Sequence, residues 1–431
     1  MTKVKTNWFI VVTLWLAGIA AAMQFAKFSF AFDFLKTQYN VSSFWIGLSL
    51  SIVGLIGLIF GITISIYSSK ITQNKILLIS LSLGVLISLI QAMNPIFPII
   101  FISRVLEGIS HLGIVVSAPI IMILLSSEKH HSIVMGLWSS FFGIAFSVTA
   151  WAGKPIIELY SVSGLFLFHA ILLFVIFLIL FLSIRKLNVP HNENSKIPFL
   201  TAHIKVYSNW KAVSPGILFF FHTFMYIALF TFLPRLSENE NTKNLLLVVL
   251  PLLSIIGTMI AGIISQYFVS PSKLSVIAYL SVLLLIFAVK LSFNYNTLFI
   301  AASMALILFS GIIQGSVFSL IPNISPIMED QTNANGAVAQ LGNLGSTLGS
   351  PIFSYFLTFG RDSIIIIVMT FSLLGAISGI LITRKIKNQF KCICRKSSTI
   401  FLQSIYIVFV FWLHFQYVYA DNFRLCSLWN F

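Results

Sequence analysis

Along this chain, continuous apolar runs of some twenty residues are separated by short polar interruptions. A bilayer core about 30 Å thick needs roughly 20 apolar residues to be crossed by a helix. Twelve stretches meet that length: 8–31, 44–67, 75–93, 97–125, 133–152 and 165–184, then 214–233, 245–268, 274–293, 298–321, 334–358 and 363–383. Lipid offers the backbone no hydrogen-bond partners, so helices are the expected form. Barrel strands would alternate in polarity over about ten residues, and these runs are longer and do not alternate. The longest polar interruption, Arg185 to Lys211, contains Pro190, Asn192, Asn194 and Pro198 and separates six runs from six. The expected fold class is an all-α membrane protein of about twelve transmembrane helices in two six-helix bundles, 1–184 and 214–383, with a cytoplasmic linker at 185–213. Residues 384–431 are a basic segment and an apolar tail of unassigned role; 400–420 reads equally as a thirteenth span, an interfacial helix or an extension without function.

Composition sharpens this picture. Charged residues fill 9% of 431 positions and hydrophobic ones 58%. Soluble domains carry about a quarter charged residues, so this surface must face lipid. In a soluble protein the formal net charge of +15 would raise the question of nucleic acid. Here the basic residues read as loop anchors, and no nucleic-acid partner is expected. With the N-terminus in the cytoplasm, the cytoplasmic side collects Lys3, Lys5, Lys70, Lys75, Lys129, Arg185, Lys205, Lys211 and Lys273, and the opposite side only Lys36, Lys154, Arg235, Lys243 and Arg361. That asymmetry predicts a multi-pass protein of a bacterial-type inner membrane with a cytoplasmic N-terminus. The first run exceeds the apolar core of a signal peptide and is read as a retained helix. Cys392, Cys394 and Cys426 form no convincing disulfide or zinc framework. Adjacent His130 and His131 are too few for a metal site, and no phosphate-binding loop for ATP is present. No cofactor and no metal are expected.

A charge at mid-membrane depth costs roughly 2.5–3.5 kcal/mol on insertion scales, so such residues normally face a cavity or a partner. Arg104 in the fourth run leads, with Glu107 on the same helical face and His111 one turn further. Arg104 reads either as a contact for an anionic solute or as half of an internal ion pair. Glu107 beside it is a candidate proton carrier. Lys27, late in the first run, either reaches the interior or snorkels outward. Asp33 and Lys290 are expected at the membrane boundary. His222 and Tyr226 are i,i+4 neighbours in the seventh run; Gln314, Gln340 and Asn343 are deep polar residues of the tenth and eleventh. Each of these either contacts solute or bonds between helices. Trp138, with Phe142 on its face, is a further candidate lining residue whose alternative is packing.

The two halves echo each other. Arg104-Val-Leu-Glu107-Gly108 faces Gly311-Ile-Ile-Gln314-Gly315, and Gly136, Gly143 and Gly153 before Pro155 match Gly336, Gly342, Gly345 and Gly349 before Pro351. With twelve runs, a six-plus-six division, a central basic linker and the Arg104–Gly108 pattern, residues 8–383 resemble the major facilitator superfamily, nearest its cyanate-permease-like branches. The loop between the second and third runs departs from the family pattern: Ser65, Ser69, Lys70, Thr72, Gln73 and Lys75 stand where that pattern has two glycines and an acidic residue. The resemblance implies a secondary active transporter, not an enzyme, working by alternating access. Its partners would be a small-molecule solute, with an anionic organic one leading, protons and the lipid bilayer, and its expected state is a monomer. Export of amphipathic compounds and a solute sensor that does not transport are the competing readings.

Overall fold

The computed structural model describes residues 5–67, 73–185, 199–324 and 328–388. The tail at 400–420, the three cysteines and Ser69, Lys70 and Thr72 lie outside these. The chain divides into two compact units, 1–380 and 381–431. In the second, the described residues 381–388 are helical.

The helices follow the apolar runs. They are α1 (Trp8–Phe30), α2 (Phe32–Tyr39), α3 (Ser43–Ser51), α4 (Gly54–Tyr67), α5 (Gln73–Ala92), α6 (Phe97–Leu124), α7 (His131–Ser139), α8 (Phe141–Ile184), α9 (Phe199–Ser208), α10 (Trp210–Phe232), α11 (Glu240–Tyr267), α12 (Pro271–Leu291), α13 (Asn296–Ile324) and α14 (Met328–Phe356), then α15 (Arg361–Asn388). Among the described residues there is no strand. Each of the twelve expected runs falls in helix. By length and hydropathy nine described helices are apolar enough to cross a membrane, or ten when α3 and α4, bent by 45°, count as one. The shortfall from twelve has two causes. The 44 residues of α8 are two helices, broken at Ser161 with φ 60°. The 29-residue α14 is loaded with Asn, Gln, Gly and Ser and falls below the hydropathy measure.

The chain reverses at Ser161. Trp15 Nε1 donates to Ser140 Oγ at 3.3 Å near the start of α8, and Leu180 and Ile184 at its end pack with Ile10 and Leu14 of the same α1 end. Between 153 and 164, where the hydropathy pattern predicts a loop, the helix continues on both sides of that one residue. The linker also carries structure: α9 lies inside 185–213, and α10 begins at Trp210.

Packing follows small residues, as expected where lipid removes the hydrophobic drive between helices. The most extensive pairings are α10 with α14, α11 with α13, and α1 with α8. Between the first six runs and the last six, α14 lies along α3 and α4, and α11 along α8. Gly349 of α14 sits against the Phe224 carbonyl of α10, where a Cβ would collide. Gly136, by contrast, has nothing within 4 Å of where its Cβ would be.

Candidate functional site

Four helices bring a sealed polar cluster together. Lys27 comes from α1, Ser88 and Gln91 from α5, Arg104 and Glu107 from α6, and His169 from α8, and each is 0% exposed. The pairs Ser88/Gln91 and Arg104/Glu107 are spaced i,i+3, which puts each pair on one helical face. Lys27 Nζ lies 2.6 Å from Glu107 Oε1, 2.7 Å from Gln91 Oε1, 3.1 Å from His169 Nδ1 and 3.3 Å from Ser88 Oγ. The other carboxylate oxygen of Glu107 pairs with Arg104 Nη1 and accepts from Gln91 Nε2 at 3.0 Å. His169 Nε2 is 2.9 Å from the Ala20 carbonyl. A carbonyl only accepts, so that nitrogen carries the proton and Nδ1 accepts from Lys27.

Arg104 also reaches the bend between α3 and α4. Its Nε donates to the Ser49 carbonyl at 2.8 Å and its Nη2 to that of Leu50 at 3.1 Å, carbonyls of the last turn of α3 that the break leaves short of helical donors. The guanidinium lies 4.0 Å from the Phe28 ring centroid. Two cations and one carboxylate are thus held without solvent, every charge with several partners. Such a cluster needs all its members, because removing one partner of a buried pair costs about 3–5 kcal/mol.

Beside this cluster, α4, α6 and α14 border a partly open cavity of about 250 Å³ whose polar lining is His111, Asn335 and Asn343 and whose apolar wall includes Leu112, Val115 and Val116. A wider hollow of about 600 Å³ lies among Ser42, Phe44, Tyr355 and Phe356, at the opposite ends of α3 and α14. Its lining has no buried charged or amide side chain. At the α1 end that carries Asp33, Arg235 closes the seam to α10. Its side chain is 7% exposed and its Nε is 2.8 Å from Asp33 Oδ2. Nη2 donates to the Ser29 carbonyl at 3.1 Å and the Phe30 carbonyl at 3.4 Å. Nη1 takes the Thr231 carbonyl, and Ser29 Oγ meets Thr231 Oγ1 at 2.7 Å.

The residues singled out by sequence thus fall into separate groups. Arg104, Glu107 and Lys27 come together, and Lys27 is buried rather than snorkelling. His111 and Asn343 line the cavity. His222 and Tyr226 meet as tilted rings with centroids 4.8 Å apart, Tyr226 bonds Ser254 Oγ at 2.9 Å, and Gln314 neighbours His222. Gln340 ties three elements: its Nε2 donates to the Leu58 carbonyl at 2.8 Å and to His203 Nε2 at 2.9 Å, and its Oε1 accepts from Tyr207 at 2.9 Å. Burial raises the Tyr207 phenol above its ordinary pKa. Trp138 packs on Gly18 and stacks on Phe141 at 4.6 Å, a packing role. Asp33 and Lys290 do sit at exposed ends, Lys290 3.3 Å from Asp362. Ser88, Gln91, Asn335 and His169 carried no expected role from the sequence, and Arg235 only that of a loop charge. The i,i+3 polar pair Ser88/Gln91 inside an apolar run was the available signal. Among the described residues no group of three His, Cys, Asp or Glu side chains could hold a metal ion.

A family model described as Major Facilitator Superfamily matches residues 14–354. No curated protein matches the chain. Among solved structures, similarity extends to a bacterial homologue of the human lysosomal transporter Spinster, crystallised in an inward-facing and occupied conformation. The identity is 13% and the TM-score 0.69, over 88% of this chain and 97% of that one.

Proposed function

Because this chain belongs to the major facilitator superfamily, and so is a multi-pass secondary transporter of a small solute, we propose that it works by alternating access with protons as the coupling ion and Glu107 as their carrier. The observation that carries this reading is the sealed cluster. Glu107 is the one acid buried among the described residues, and its two oxygens hold Lys27 and Arg104 together. A proton on Glu107 would weaken both ion pairs and, through Arg104, the hold on the carbonyls of α3. Since α3 and α4 lie along α14, the charge state of one carboxyl is linked to the seam between 1–184 and 214–383, which act as two rocking bundles about the linker at 185–213. The latch at Arg235 holds one end of that seam shut, and the 250 Å³ cavity lies toward the other. The proposed setting is an inner membrane with a cytoplasmic N-terminus and a monomer as the working unit.

The sequence argument for an anionic solute rested on Arg104 and Lys27 outnumbering Glu107. Both cations are buried and paired within the cluster, and neither lines the cavity, so that argument loses its support. Uptake into sealed proteoliposomes, with and without an inward proton gradient, tests the mechanism. The expected result is gradient-driven accumulation in the wild type that is lost in Glu107→Gln, while exchange of labelled for unlabelled solute persists. Accumulation indifferent to the gradient in the wild type would exclude proton coupling.

A further inference from the structure

The cavity between α4, α6 and α14 presents a chemistry that narrows its ligand. None of its lining residues is charged. An ion placed against this lining would gain no counter-charge for whatever water it gave up. The cations nearby are committed: Lys27 to Glu107 and Gln91, Arg104 to Glu107 and the α3 carbonyls.

His111 Nδ1 lies 3.0 Å from the Ala21 carbonyl. That carbonyl can only accept, so Nδ1 is the protonated nitrogen. In the neutral ring Nε2, across the ring from it, is then an acceptor. Asn343 spends one N–H of its amide on the Ala339 carbonyl at 2.8 Å, which leaves its side-chain oxygen as an acceptor beside the second N–H. These two acceptors and the Asn335 amide therefore stand on a wall otherwise made of Leu112, Val115, Val116, Ala339 and glycines, and His111 Nε2 is the one polar atom among them on an aromatic ring. At about 250 Å³ the space is smaller than the roughly 300–1,000 Å³ of pockets for drug-sized ligands.

We propose that this cavity binds a small uncharged solute that has an apolar body and donates a hydrogen bond to His111 Nε2. The proposal rests on the transport reading above for its biological role, but binding is measured apart from flux. The full chain in nanodiscs, corrected against empty nanodiscs, is titrated calorimetrically with size-matched aromatic probes. Indole and benzamide are uncharged donors; 1-methylindole and N,N-dimethylbenzamide lack the donor; indole-3-acetate and benzoate are anions; tryptamine and benzylamine are cations.

Saturable binding of an uncharged donor is expected below about 10 mM, with its donor-free and charged counterparts at least about tenfold weaker. His111→Phe should bring the ratio of donor to donor-free affinity close to one. Ala339→Phe, which fills the cavity, should abolish binding of every probe, with folding verified for both variants by gel filtration and thermal midpoint. The proposal is overturned if no uncharged donor saturates, if an anion or cation binds more tightly, or if the donor preference survives His111→Phe. Binding in the expected pattern without proton-driven uptake would keep the site and remove the coupling mechanism. Proton-driven uptake of other compounds with no binding here would do the reverse.

Discussion

Arg104 grips a carboxylate and two backbone carbonyls with one guanidinium, as Arg235 grips Asp33 and three carbonyls. Arg104 uses three of its nitrogens in this way, whereas an ammonium is a point charge on a flexible stem. Arg104→Lys should keep the charge beside Glu107 and lose the hold on Ser49 and Leu50. The expected cost is about 1.5–3 kcal/mol, the range for hydrogen bonds to charged groups, read as a lower thermal midpoint with the same bound lipid and detergent. An unchanged midpoint would mean that the α3 carbonyls find other donors. At this scale the sequence was readable where partners share a helix: Arg104 and Glu107 are three residues apart. It was not readable where they do not. Lys27 meets His169 across 142 positions and Gln91 across 64, and nothing in a single chain pairs an isolated histidine with a distant lysine. Trp138 shows the opposite limit, since a large aromatic on an apolar face looks the same whether it meets a solute or a glycine.

Helices were the most legible elements, because the length of an apolar run and the thickness of a bilayer leave few alternatives. Their ends were less so. The stretch 153–164 reads as a loop from its glycines and polar residues, yet the backbone stays helical up to a single reversal at Ser161. The linker hides α9, a helix too short for any span criterion. Glycine patterns carried packing information, and the positions differ in a way that can be tested. Gly349→Val should force α14 away from the Phe224 carbonyl and destabilise by about 1–3 kcal/mol, the usual penalty for overpacking. Gly136→Val, with nothing within 4 Å of its Cβ position, should fall well below that. Chemical or thermal unfolding of the two variants side by side settles it; equal losses would show that helix propensity, not contact, sets the cost.

At the scale of the whole molecule, Arg235 makes most of the polar contacts at the seam between α1 and α10. Ser29 and Thr231 beneath it are 2% and 0% exposed. In a background with Cys392, Cys394 and Cys426 replaced by serine, Thr231→Cys should react slowly with a membrane-impermeant maleimide. Adding Arg235→Gln should speed that labelling by about tenfold or more, since the loss of charged hydrogen bonds of about 1.5 kcal/mol or more shifts the closed state by at least that factor. Labelling at the same rate in both would show that Arg235 does not hold this end closed. The latch has a further consequence for how the protein tolerates inherited change. Four of the five polar contacts made by Arg235 and by the Ser29–Thr231 pair engage either a carbonyl or a residue other than Asp33, and every residue has a carbonyl. Substitutions at Phe30 therefore leave the receiving oxygen in place and those at Ser29 lose only the bond to Thr231, whereas a change at Arg235 removes four contacts at once, so genetic fragility at this end gathers at that codon.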